Sequence, residues 1–266
     1  MKKKALFLLC VAAAASVLSA GEILTVDTPE KFLVLAGTKL SCSNGEFTAA
    51  ESGVLYGKKY LPIDTAKSYQ LSGEFKATSD GAAGDYIRFG LVPSTEWSQI
   101  GSINVNIVPG TVTELAADCK ETDKVIKLKD ASKWKGNSLS VVAFDVDSGD
   151  KMRDLPNFNT SKTGVEKLEQ KDGVWLLTLK QPCGRNYPAG TAVREHCASW
   201  SLIYAGSSKL ELKPEWQKID VVIEPGEVAQ ASVNRWWQGT KKTSFNIEIV
   251  GKGVVFRNLE LKEVTK

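Results

Sequence analysis

The 266-residue chain has a single histidine, His196, and no Cys-x-x-Cys pair. One imidazole cannot build a His-based metal site, and as a general base it would need partners that a sequence does not display. A structural hydrogen bond or a surface role is the plainer reading of His196. The missing Cys-x-x-Cys removes the signature of a zinc ribbon or a redox dithiol. An excess of one charge is also missing. The formal +3, from 34 Lys+Arg against 31 Asp+Glu, coincides with Lys2, Lys3 and Lys4, so beyond residue 20 the balance is 31 against 31. A neutral chain has no long-range field to hold a polyanion, which sets nucleic acid aside as a partner. No apolar run after residue 20 approaches the roughly 18 residues that span a bilayer, so no integral membrane segment is expected there. Catalytic signatures are absent as well. There is no closely spaced Glu-x-Asp-x-x-Glu run for glycoside hydrolysis, no Gly-x-Ser-x-Gly elbow and no phosphate-cradling glycine loop. A non-enzymatic role is therefore expected.

The first twenty residues join a basic start to an apolar stretch at 5–17 and a small-residue site, Leu18-Ser19-Ala20. This is the pattern of a removable export signal, so a secreted or periplasmic protein is expected. Cys10 follows Leu8-Leu9 rather than a small residue, which argues against a lipid anchor. Cys42, Cys119, Cys183 and Cys197 remain, an even number that permits two disulfides in three connectivities. Cys183 and Cys197 bracket a loop rich in Gly and Pro, which favours that pair and leaves Cys42 with Cys119.

The hydrophobic period is two almost throughout. Leu71 and Phe75 share a face, as do Ile87, Phe89 and Leu91; then Ile103, Val105 and Ile107; then Ile219, Val221 and Ile223; then Phe245, Ile247 and Ile249. A last strand is predicted over 254–261. Strict alternation marks strands buried on one side only, the habit of antiparallel sheets. Turn-forming residues separate them at 79–85, Pro109-Gly110, 147–150 and Pro225-Gly226. No amphipathic helix stands out beyond the signal. The expected fold is all-β, an antiparallel sandwich of two sheets. Residues 113–197 differ in texture, with shorter and more charged strands at 124–129, 139–146, 164–170 and 174–180. They read as a small barrel-like β subdomain inserted between two halves, 21–112 and 198–266, an arrangement that loop-closure cost tolerates.

Two segments carry a family resemblance. Tyr60-Leu61-Pro62-Ile63-Asp64, running on to Leu71-Ser72-Gly73-Glu74-Phe75, resembles an early strand pair of carbohydrate-binding jelly rolls of the galactose-binding-like fold. Gly253-Val254-Val255-Phe256-Arg257-Asn258-Leu259-Glu260-Leu261 resembles their closing strand. Asp154-Leu155-Pro156-Asn157-Phe158 and the stretch from Pro188 to His196 are similar to inserts in exported bacterial proteins. The resemblance implies a jelly roll of about 130 residues and an oligo- or polysaccharide partner. The fold also hosts enzyme appendages and structural domains.

Within that framework the aromatic residues draw interest. In an extended strand Trp236 and Trp237 point to opposite faces. Ser232 and Asn234 on the side of Trp236 suggest a groove or solvent, with Trp237 inward, although a bulge would exchange the two. An exposed indole is a platform for the apolar face of a pyranose and adds one donor; packing of both is the competing reading. Trp97 lies in a polar loop, Pro93-Ser94-Thr95-Glu96-Trp97-Ser98, where it either contacts ligand or covers one end of the core. Tyr86 and Arg88 alternate with Ile87 and Phe89. With Asn104, Asn106, Asn234 and Glu248 they could form a hydroxyl-reading surface, against the alternative of a solvated outer sheet. Trp134, Trp175, Trp200 and Trp216 are assigned to packing. Residues 145–150 place carboxylates at alternate positions, but Asp150 and Pro156 stand where a calcium loop needs glycine and an acid. A tight turn is expected instead; structural calcium elsewhere has no identifiable ligands, and no other cofactor is implied. The expected function is glycan binding, with a structural or adhesive envelope role binding other proteins as the alternative.

Overall fold

The structure, a computed structural model, describes residues 23–78, 84–149, 151–161, 164–198, 205–229, 232 and 234–264. The expected export signal and Trp200 lie outside the described residues. The alternating segments form two sheets packed face to face. In the first, strands Arg235–Trp237, Gln217–Val228, Ser68–Ala77, Val254–Val264, Glu46–Ala49 and Leu40–Ser43 follow one another, with Ile23–Thr25 also on Val254–Val264. In the second the order is Ala205–Glu211, Tyr86–Ser94, Lys242–Val250, Gly53–Gly57 and Phe32–Ala36, with Leu61–Pro62 also on Lys242–Val250. Every pairing in the two is antiparallel except that of Arg235–Trp237 with Gln217–Val228.

The inward residues of both sheets form one core. Phe75, Phe89, Phe245 and Phe256 are wholly buried in it. Phe47 stacks on Phe256 at 5.0 Å between ring centroids, and Phe32 meets both rings edge-on. Gly73 interrupts an apolar strand for a steric reason. Opposite it the register of Val254–Val264 shifts between Arg257 and Glu260, and Asn258 adopts a positive φ of 53°. The bulge drives Leu259 inward, so a Cβ on Gly73 would stand 2.8 Å from its Cδ2.

A second core draws only on residues 115–193. Two three-stranded sheets enclose it: Val125–Leu128, Val174–Leu179 and Val165–Lys171, and Ser140–Phe144, Ala192–Cys197 and Thr113–Glu114. Phe144 and Tyr187 stack in it at 3.9 Å with their planes nearly parallel.

Two expected elements differ. The stretch 103–107 is not a strand; Ser102–Val105 is a single helical turn. Its start is fixed by the Asn104 side chain, whose Oδ1 accepts from the Gly101 N–H at 2.7 Å while its Nδ2 donates to the Asn157 carbonyl. Local side-chain bonding of this kind competes with a strand ladder. Pro225-Gly226 does not end a strand. It lies inside Gln217–Val228, where the register shifts between Glu224 and Glu227 and Gly226 takes a φ of 99° that favours glycine.

Strand Ala192–Cys197 joins the two bodies with buried polar groups. Arg194 pairs with Asp154 at 2.7 Å, both almost fully buried. Buried Glu195 accepts from the Lys135 and Gly136 N–H groups at 2.8 and 3.1 Å and from the Ser140 hydroxyl. His196, also fully buried, donates from Nδ1 to the Ile103 carbonyl at 2.6 Å, so Nε2 faces the Arg194 guanidinium as acceptor. Through its two ring nitrogens the histidine ties Arg194 of its own strand to the helical turn. Burial first, and Arg194 second among the lowering causes, depress its pKa from 6.5 to about 4. Because the folded value lies below the unfolded one, this stability is complete above pH 6.5 and is lost as pH falls toward 4. The difference corresponds to about 3 kcal/mol. Urea unfolding at pH 7 and pH 4 should show a loss of that order in the parent, and a shallower pH dependence in His196→Gln.

Candidate functional site

Sealing Phe245, Ile247 and Ile249 in the core turns Lys242, Ser244, Asn246 and Glu248 to the outer face of the second sheet. On the neighbouring strand Ile87, Phe89 and Leu91 point inward, so Arg88, Gly90, Val92 and Ser94 share that face. The register sets Glu248 opposite Arg88, Asn246 opposite Gly90, Ser244 opposite Val92 and Lys242 opposite Ser94. On the far side Tyr56 stands opposite Asn246, and exposed Leu33 opposite Tyr56. The stripe from Lys242 to Glu248 is roughly 20 Å long at strand rise.

At one end the Arg88 Nη1 donates to Glu248 at 2.9 Å, and this bond raises the guanidinium pKa. Arg88 and Lys209 lie over the Tyr86 ring at 5.1 and 4.5 Å. Cations therefore occupy the ring face that a sugar would need. At the other end Trp97 is 93% exposed. Its loop is fixed by Thr95, whose hydroxyl oxygen accepts from the Trp97 and Ser98 N–H groups at 3.2 and 3.0 Å, while the Thr95 N–H donates to the Ser98 carbonyl. Lys242 Nζ donates to the Glu96 carbonyl at 2.8 Å and sits 5.5 Å from the Tyr60 ring centroid, and Tyr60 is itself exposed. The ammonium that braces the Trp97 turn thus lies against exposed Tyr60.

Along the stripe three buried polar atoms lack partners among the described residues. Asn246 is fully buried, and neither its Oδ1 nor its Nδ2 has a hydrogen-bond partner among the described residues; the same holds for Ser94 Oγ. Three of four such atoms lie on this face, and the fourth is Trp236 Nε1. A buried donor or acceptor left unmade costs about 1–3 kcal/mol.

The structure brings Trp97, Tyr86, Arg88 and Glu248 to one face or its end. It does not bring Trp236 there. Trp236 is fully buried in the main core, edge-on to Tyr69 at 5.5 Å, so the expected exposed platform is corrected. Arg235–Trp237 is only three residues long and pairs across a register shift, so simple alternation does not govern it. Trp237 is buried too, in a separate cluster with Ile100 and Val105, and donates to the Ser232 carbonyl at 2.7 Å. Asn234 is held locally, accepting from the Ser232 hydroxyl at 2.9 Å. Asn104 and Asn106 bond to backbone groups near the helical turn. Tyr60, Ser94, Lys242 and Asn246 were missed, although Asn246 between Phe245 and Ile247 carries the alternation that could have found it.

Trp134 is buried and donates to the Thr111 carbonyl at 2.8 Å, and Trp175 packs on the second core. Trp216 lies instead between Lys76 and Arg257, at 4.4 and 4.0 Å. Asp147 accepts from the Gly149 and Arg153 N–H groups at 2.8 and 3.1 Å, bonds that lower its pKa and define a turn. Among the described residues no group of three or more His, Cys, Asp or Glu is placed to hold a metal ion. All four cysteines among them are free thiols, so the favoured Cys183–Cys197 and Cys42–Cys119 pairings are not formed. Proximity in sequence misled: Cys197 lies at the end of its strand opposite Ser140 and Cys42 sits in the first sheet, whereas Cys119 and Cys183 share the second core.

No sequence-family model and no curated protein matches the chain. Among solved structures, one described as "CBM4 structure and function" aligns over 91% of this chain and 95% of its own at 7% identity, with a TM-score of 0.35. Trp236→Ala should lower the free energy of unfolding by about 3–5 kcal/mol, whereas Trp97→Ala should change it by no more than about 0.5 kcal/mol. Urea titrations of the two variants check this contrast.

Proposed function

We propose that the chain is an exported, non-catalytic carbohydrate-binding protein whose ligand lies along the outer face of the second sheet. The observation that carries this reading is the nearly bare Trp97 indole on a pinned turn, at the end of a stripe of inward-bonded and unbonded polar groups. Indole and Tyr60 offer apolar surface to sugar rings, Lys242 and Arg88 offer donors, and Glu248 offers acceptors. An oligo- or polysaccharide matches a site that combines stacking with hydrogen bonds and carries little net charge. In this reading residues 113–197 form an insert within a galactose-binding-like jelly roll. Open sugar sites bury little area, so weak affinity per site is expected.

Titration against a panel of soluble glycans, followed by calorimetry, tests the proposal. Trp97→Ala should weaken binding at least tenfold. Asn246→Val should leave stability unchanged or raised in urea unfolding, because the substitution removes two unmade hydrogen bonds. No binding across the panel, or Trp97→Ala binding like the parent, would overturn it.

A second reading has its own support. Phe32–Ala36 is the edge strand of the second sheet and exposes Leu33, Val34 and Leu35. Exposed apolar edges pair readily with another chain, as a structural or adhesive envelope protein would require. A concentration-independent monomer in sedimentation, with no protein captured from envelope extracts, would count against it.

A further inference from the structure

We propose that Cys119 and Cys183 are the partners of a disulfide that closes the second core, and that Cys42 and Cys197 stay reduced. Both thiols are buried in the same cluster, within hydrogen-bonding reach of each other. The backbone on either side holds them there. Cys119 exchanges two hydrogen bonds with Tyr187, each 2.8 Å, and the N–H groups of Cys183 and Gly184 donate to the Asp123 and Glu121 carbonyls, also at 2.8 Å. The segments 119–123 and 183–187 are thus laced side by side before any covalent bond forms.

Interaction between the two thiols and then burial push the Cys119 pKa up, while the same interaction and the Arg185 N–H lower that of Cys183; the Cys119 thiol also donates to the Lys120 carbonyl at 3.8 Å. Attack by Cys183 is one of two orders that give the same disulfide. With a small-molecule disulfide as oxidant, Cys183 sulfur bonds to one sulfur of the oxidant and the other leaves as a thiolate. Cys119, losing its proton to solvent, then attacks Cys183 sulfur and expels the second thiolate. Two protein thiols become one disulfide, and the oxidant is reduced to two thiols. Access exists on both sides. Cys183 lines a surface cavity of about 330 Å³ beside Phe158, Thr160 and Arg185, and Cys119 lines one of about 380 Å³ beside Lys120 and Asn186.

The full-length protein, reduced and then equilibrated with oxidised and reduced glutathione, is blocked with N-ethylmaleimide and digested without reductant. Mass mapping should recover a Cys119–Cys183 linked peptide two hydrogens lighter than its parts, with Cys42 and Cys197 alkylated. Recovery of Cys119 and Cys183 both alkylated, or of either joined to Cys42 or Cys197, would overturn the proposal. Melting provides the second reading. Dithiothreitol should lower the Tm of the oxidised parent and of the Cys42→Ser, Cys197→Ser variant by roughly 5 °C or more. It should leave Cys119→Ala, Cys183→Ala unchanged. A parent Tm insensitive to dithiothreitol contradicts the disulfide.

Discussion

Burial of Phe245, Ile247 and Ile249 beneath the second sheet is the constraint on which the rest depends. Strand Lys242–Val250 is paired on both flanks, so its register is fixed by Tyr86–Ser94 on one side and by Gly53–Gly57 and Leu61–Pro62 on the other. A slip of one residue would bring Asn246 and Glu248 into an aromatic core and expose three large apolar side chains. The same lock that forbids the slip places Lys242, Asn246 and Glu248 in line on the opposite face of the sheet, where Asn246 is buried. Fold and candidate site are two faces of one strand.

The join between the two bodies obeys a different rule. Strand Ala192–Cys197 buries Arg194, Glu195 and His196 in succession, so both of its faces are polar and both are satisfied. Arg194 has Asp154, Glu195 has two backbone N–H groups and a hydroxyl, and His196 has a carbonyl on one nitrogen and a guanidinium on the other. Such a network contributes modestly to stability but tolerates few alternatives, because each group left unmade in a dry interior is costly. It fixes how the helical turn Ser102–Val105 sits against the second body.

Period two was legible wherever a strand was long and paired on both sides. Leu71, Phe75, Phe89 and Ile247 could be placed in the core from the sequence alone, and the polar face carrying Arg88 and Glu248 followed from the same count. The reading failed where local chemistry outweighs alternation. Asn104 turns 102–105 into a helix by bonding its own backbone, and Trp236 belongs to an edge strand too short for the rule to act. The distant neighbours of Trp97 were invisible. Tyr60 and Lys242 are separated from it by dozens to more than a hundred residues, and only the pairings of Leu61–Pro62 and Lys242–Val250 bring them to the same end. The cysteines failed for the same reason: segments that are laced together by backbone bonds lie far apart in the chain.

Asn246 shows why the outer face differs from an ordinary solvated sheet. A solvated face leaves its polar atoms to water, and a structural buried amide finds protein partners, as Asn104 and Asn157 do. Asn246 does neither among the described residues, although valine or threonine would suit its strand position better. The same face places Ser94 Oγ in the same condition, on the adjacent strand opposite the Lys242 that braces the Trp97 turn. Two unsatisfied groups in line, each replaceable by an apolar residue at no folding cost, are hard to account for by stability.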